Sequence, residues 1–208
     1  MSNSGFENKD GQEPLKYISK QEAEALEREL LEDYRFGKQQ LIEILGHSCA
    51  MAVTKVYPLK ALPKKQPTVL IICGPEQNGA IGLVCARNLR AFVQLINDAY
   101  NFVVDAVLGV EEDMGELKEP WATILATMKQ IKMPIISLDI PSGWDIEAGN
   151  FEGINPEVLI SLSAPKMCAT HFSGKHHFIA GRFLPYDIQK KFDLNLPKYP
   201  GTEYVMEL

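Results

Sequence analysis

The 208-residue sequence predicts an α/β fold: a doubly wound, mostly parallel sheet preceded by two helices. Three observations carry this. The runs TVLIIC, FVVDAVL, MPIISLD and VLISLS are short, rich in Val and Ile, and apolar on both faces, as parallel strands covered by helices must be. Segments of helical period separate the first three. Glycine-bearing loops follow each of those three, at the end where an open α/β sheet presents its ligands.

Residues 1 to 14 are polar, with Gly, Asn, Asp and Pro, and read as a disordered tail ahead of one domain spanning 15 to 208. Ser19 and Glu22 have the spacing of a capping box, which starts a helix through EAEALERELLEDY. A second helix runs from about Lys38 to Val56, with Leu41, Ile44, Leu45, Ala52 and Val56 on its apolar face. The strand TVLIIC comes next, then a helix over 78–94 whose packing face is expected at Leu83, Val84, Ala86, the Arg87 stem and Leu89. FVVDAVL, a helix over 119–132, MPIISLD and VLISLS complete the alternation. HFIAGRF adds a further strand and PYDIQKKF a short closing helix.

Composition excludes several classes. The net charge is -6, and no basic stripe interleaved with aromatics is present, so nucleic acid is not expected as a partner. No run is long enough to span a membrane, and no signal or transit segment stands at the N-terminus, so a cytoplasmic protein is expected. Cys49, Cys73, Cys85 and Cys168 follow no disulfide or zinc spacing; three lie in apolar runs and read as buried thiols.

Three loops would converge at the strand ends: GPEQNG, GVEEDMGE and DIPSGWD. Asp139 opens the last. It reads either as a proton-transferring carboxylate or as the cap of its own turn. Asp105 lies inside an apolar run, where its charge needs a cation or several hydrogen-bond donors. His171, His176 and His177 match no closed metal pattern and read as polar residues of a surface strand. Trp144 reads as a packing residue.

Together, ISKQEAEALERELL, GP-x-x-NG-x-x-GLVCARNL, VVDAVLG, SLDIPSGWD and LISLSAPK resemble the YjeF N-terminal domain family, from about Leu15 to the C-terminus. That family includes the NAD(P)HX epimerase, also called apolipoprotein A-I-binding protein, and has a Rossmann-like fold. GPEQNGA and VQLINDAY point to a vertebrate paralogue of the epimerase. The resemblance implies a potassium ion held by Asn78, Asp105 and Ser142, and a substrate-contacting, proton-transferring aspartate at Asp139. Gln77, Asn78, Gly79, Gly109 and Asp139 would line the nucleotide pocket. It further implies an apolipoprotein A-I or high-density-lipoprotein partner, a role in cholesterol efflux and lipid transport and so in angiogenesis, and a homodimer. Such a role would need an unconventional route out of the cell.

The departures from the epimerase pattern matter as much. Its turn reads GP-G-N-N-G-G-D-G. Here Glu76, Ala80 and Ile81 replace a glycine, a glycine and an aspartate. The second loop carries Glu111, Glu112, Asp113 and Glu116 where the epimerase presents a lysine. Two anions a few Å apart repel by about 1 to 4 kcal/mol at aqueous to surface dielectric. A pseudoenzyme that binds a protein partner is therefore expected, with NAD(P)HX epimerase as the alternative. The chain also passes from ARNLRAF straight to VQLINDAY, where the family carries two more strands and a helix. Their loss bares one edge of the sheet and forces either a left-handed crossover or a helix on the other face.

Overall fold

In the computed structural model the described residues are 14–58, 68–92, 101–110, 119, 121–149 and 152–208. Residues 1–13 of the expected tail, the acidic positions 111–116 and the junction after residue 92 lie outside them.

Helix α1, Lys20–Glu32, begins as its sequence dictates. The Ser19 side chain accepts from the Glu22 amide, and Glu22 accepts from the Ser19 amide, closing the capping box. Helix α2, Lys38–Val56, packs along α3, Gln77–Phe92. Gly46 allows that approach: a Cβ there would sit 2.5 Å from the Val84 side chain.

The sheet is β1, Val69–Cys73; β2, Phe102–Ala106; β3, Ile135–Leu138; β4, Val158–Leu162; β5, His176–Ala180; and β6, Met206–Glu207. Its order is β1 to β6 without interruption, parallel except for the antiparallel β5–β6 pair. Helix α4, Trp121–Met128, lies between β2 and β3, and α5, Tyr186–Lys191, follows β5. Helix α4 is shorter than expected, since the chain leaves it in a turn where Ile131 N–H bonds the Met128 carbonyl. β5 is flanked on both sides and is not a surface strand.

Strand residues alternate between two apolar layers. Val69, Ile71, Cys73, Val104, Ala106, Ile136, Leu138 and Ile160 meet α2 and α3 on one face. Leu70, Ile72, Val103, Val107 and Ile135 meet α4 on the other. Helices α3 and α4 thus lie on opposite faces, while β1, β2 and β3 step in one direction. The two crossovers are therefore of opposite hand, and one is left-handed, against the strong preference for right-handed parallel connections. Helix α3 faces the core through Ile81, Cys85 and Leu89, spaced four apart; Leu83, expected inside, is 63% exposed. Among the described residues β1 has a neighbour on one side only, and all five of its residues are half-buried.

Candidate functional site

The carboxyl ends of β1 to β4 meet beneath α1, although the strand order has no reversal there. A cavity of about 70 Å³ lies between them. Its polar side carries Gln77, Asn78, Asp139, Ser163 and Lys166. Leu26, Leu30, Leu41, Leu45, Ile81 and Phe183 form the apolar side.

The turn after β1 is built around glycine. A Cβ on Gly74 would stand 1.9 Å from the Val107 carbonyl oxygen, and one on Gly79 would stand 1.9 Å from the Gly74 carbonyl oxygen. The turn therefore lies flat against β2 and brings Gln77 and Asn78 to the start of α3. Glu76 is exposed, and its carbonyl accepts from the Ala80 amide. Ile81 is 2% exposed and forms part of the cavity wall as well as the core.

Asn78 is buried and bridges two strand ends: its Nδ2 donates to the carbonyls of Leu108, at 2.8 Å, and Leu138, at 3.0 Å. Its Oδ1 is buried without a hydrogen-bond partner among the described residues. Gly109 leaves room for it, since a Cβ there would lie 3.0 Å from the Asn78 Cβ.

Asp105 is 1% exposed and takes the second of the two satisfactions open to it, a set of donors. Its Oδ1 accepts from the Ser142 hydroxyl at 2.6 Å and the Val107 amide at 3.4 Å. Its Oδ2 accepts from the Ser137 hydroxyl at 2.8 Å and the Ser142 amide at 2.9 Å. Burial still pushes the carboxyl above its ordinary range, against the lowering effect of these bonds. Leu108 N–H in turn donates to Ser142 Oγ at 3.2 Å. Asn78, Asp105 and Ser142 are thus joined in one network through Leu108.

Asp139 neither caps its own turn nor stands alone. It is 5% exposed, in the left-handed region at φ 65°, and its Oδ1 accepts from the Leu162 amide at 2.9 Å and from Lys166 Nζ at 2.6 Å. Ser163, its neighbour across the cavity rim, is also left-handed at φ 66°. Both residues thus hold the left-handed backbone at the rim of one cavity. Lys166 was not among the sequence-derived candidates. Its only signal was its place in SAPK after an apolar strand, where a lysine ordinarily reads as solvated.

The histidines lie apart from this cavity. His177 Nε2 is 2.9 Å from Ser161 Oγ, and burial pulls the ring's pKa down to about 4. His176 pairs with Glu207. Trp144 packs as expected, and its indole N–H donates to the Ile154 carbonyl at 2.8 Å. Burial pushes the Cys85 and Cys168 thiols up to about 12, so neither is primed for nucleophilic chemistry.

Fold and site define a class: a Rossmann-like α/β domain with a carboxylate- and amide-lined cavity at the strand ends. The chain belongs to the family described as YjeF-related protein N-terminus, which matches residues 38–95 and 90–168. The two matched pieces meet at 90–95, where the shortened passage between α3 and β2 lies. The chain is 56% identical to zebrafish YjeF N-terminal domain-containing 3 over 234 residues, covering 94% of this chain and 95% of that protein. It is 52% identical to human YjeF N-terminal domain-containing protein 3 over 227 residues, covering 90% of this chain and 76% of that one. Both alignments are longer than the chain itself, so each relative carries residues that have no counterpart here. The crystal structure of the yeast protein YNL200c superposes with a TM-score of 0.86 at 30% identity, covering 93% of this chain and all of that one. Among the described residues no helix is long and apolar enough to cross a membrane.

Proposed function

We propose that this chain is a non-catalytic member of its family, a binding protein for apolipoprotein A-I or high-density lipoprotein that promotes cholesterol efflux and so regulates angiogenesis. The partner follows from the resemblance. The loss of catalysis rests on one observation: Ile81 is buried in the cavity wall at the position where the epimerase turn carries an aspartate. With Leu26, Leu30, Leu41 and Leu45 it leaves a cavity of about 70 Å³. Pockets that bury drug-sized ligands run to about 300–1,000 Å³. A hydrated dinucleotide is larger than a typical drug, and the exposed Glu76, just before α3, would oppose its phosphates.

The second reading, a residual NAD(P)HX epimerase, is supported by the persistence of Asn78, Asp105, Ser142 and Asp139 at one place. In that reading Asn78, Asp105 and Ser142 would hold a potassium ion. The buried, unpartnered Oδ1 of Asn78 fits a hard monovalent cation. The ion would supply fixed positive charge beside the cavity, and Asp139 Oδ2 would accept or return a proton.

The binding reading is tested by flotation of the purified chain with apolipoprotein A-I-containing lipoproteins in a density gradient. Co-migration with the lipoprotein band is expected. A chain that stays at the density of free protein, at lipoprotein excess, contradicts it.

A further inference from the structure

The backbone of β1 serves β2 with every other residue. Gly74 N–H donates to the Ala106 carbonyl, and the Thr68 carbonyl accepts from Asn101 N–H. In a parallel ladder, residues two apart point their N–H and C=O groups to the same neighbour, so Thr68, Leu70, Ile72 and Gly74 face β2. Val69, Ile71 and Cys73 turn their N–H and C=O groups the other way, and among the described residues nothing pairs with that edge. Chain length excludes the two adjoining segments as its cover. Helix α3 runs back along β1: Gly82 stands over Ile71 and Cys73, and Leu89 joins the cluster of Phe102 at the start of β2. Tyr57, at the end of α2, stacks on Phe102 at 4.8 Å. Residues 59–67 and 93–100 therefore each begin and end at the same end of β1. Passing all five residues of β1 and returning takes about ten residues, at about 3.3 Å each, and a turn besides. Neither segment is that long.

We propose that the edge of β1 is a dimer interface whose occupant is β1 of a second copy of this chain, paired antiparallel about a twofold axis at Ile71. Ile71 then stands opposite Ile71 of the second copy, and Val69 opposite its Cys73. All are hydrogen-bonded pairs, so every outward N–H meets an outward carbonyl. An edge that pairs with itself closes at two copies. Val69–Cys73 carries no charge, so the pairing sets no like charges side by side. Above the sheet, α2 covers one flank of α3: Val84 lies against Gly46, and Asn88 meets His47. Ala86 lies on the opposite flank, and Leu83, 63% exposed, lies beside it. The second copy sets its own α3 against these residues, and the short Ala86 side chain leaves the helices room. This goes beyond the lipoprotein reading and is independent of it. It is also particular to this chain, since the two strands implied by the family resemblance would occupy the same edge.

Sedimentation velocity on the whole chain reads the assembly. A species of twice the mass of one chain is expected, in reversible exchange with monomer. Ile71→Pro removes the central outward N–H and leaves the bonds to β2 in place, as an edge strand allows. It should raise the dissociation constant about tenfold or more, because two hydrogen bonds are lost at once. Val69→Cys sets a thiol opposite Cys73 of the second copy, so mild oxidation should give a disulfide-linked dimer on a non-reducing gel, lost again when Cys73→Ser is added. A natural chain that stays monomeric at about 100 µM overturns the proposal. So does an open-ended polymer, or a folded Ile71→Pro chain that dimerises as tightly as the natural one. If Ile71→Pro does not fold, Val69→Cys decides: a dimer that forms no such disulfide is held by another surface, and the proposal fails.

Discussion

Lys166 Nζ and Asp139 Oδ1 stand 2.6 Å apart, and their side chains are 4% and 8% exposed. The pair ties the end of β3 to the loop after β4, and Ile18 pairs with Lys166 to bring the segment before α1 into the same place. One contact thus joins three parts of the chain at the cavity.

Breaking this pair from one side should be far worse than removing it whole. Lys166→Met leaves a buried carboxylate without its cation, and such losses run to about 3–5 kcal/mol. The double change Lys166→Met with Asp139→Asn removes both charges and should recover much of that loss. Urea denaturation of the two single variants and the double variant measures the coupling; additive losses would show that the pair does not act as a unit.

Gly74 and Gly79, in the turn after β1, leave no room for a side chain. Gly79→Ala would push a methyl group against the Gly74 carbonyl, a contact with backbone that no rotamer relieves. The expected loss is at least about 2 kcal/mol, at the upper part of the range for overpacking. Gly201, where a Cβ meets nothing within 4 Å, is the control. Its alanine variant carries only the strain of φ 52° and should melt closer to the natural chain. Equal melting of the two variants would mean that the turn relaxes freely.

His177 should make the fold acid-sensitive. Burial lowers its pKa from 6.5 to about 4, so between those values the unfolded chain binds a proton that the folded chain refuses. Its contribution is fully present above pH 6.5 and is lost as pH falls toward 4, reaching about 3 kcal/mol for a shift of this size. Glu22, Glu43 and Glu157, whose carboxyls are held low by Lys16, Arg87 and Lys175, lose stability in the same direction. The readout is therefore the difference between the natural chain and His177→Gln, which can keep the bond to Ser161. The variant should show a flatter stability profile from pH 6.5 to 4; superimposable profiles would refute the assignment.

The shortened passage after α3 should weaken the sheet. Among the described residues β1 is paired on one side only and its residues are half-buried, and exposed apolar surface costs about 25 cal/mol per Å². Inserting at this junction the segment that the family resemblance implies should raise the melting temperature. Equal melting of the two forms, both monomeric, would show that the missing strands add little.

The main strands were legible because parallel strands buried on both faces leave unbroken Val and Ile runs. β6 was not, since two residues at the sheet's edge carry no pattern. Helix α3 was legible as a helix but not in its orientation: apolar residues ring it, and only packing decides that Cys85 faces inward and Leu83 outward. The candidate site was legible where a residue's type conflicted with its surroundings, as with Asp105 in an apolar run. Lys166 lies 27 positions from Asp139, and no local spacing links them. Asp105 illustrates the middle case. The need for partners was plain, but serines at 137 and 142 became its donors only once β2 and β3 paired, with Asp105 opposite Ser137.

The central claim, that the family's cavity persists while its dinucleotide chemistry is lost, is tested most directly by following epimerisation of the hydrated NADH isomers with and without potassium. The account predicts no turnover above the uncatalysed rate in either condition. It also predicts that Glu76→Gly, Ala80→Gly and Ile81→Asp together restore dinucleotide binding, if the turn alone is at fault. Potassium-dependent turnover by the natural chain, comparable to that of a family member with the GPGNNGGDG turn, would contradict it.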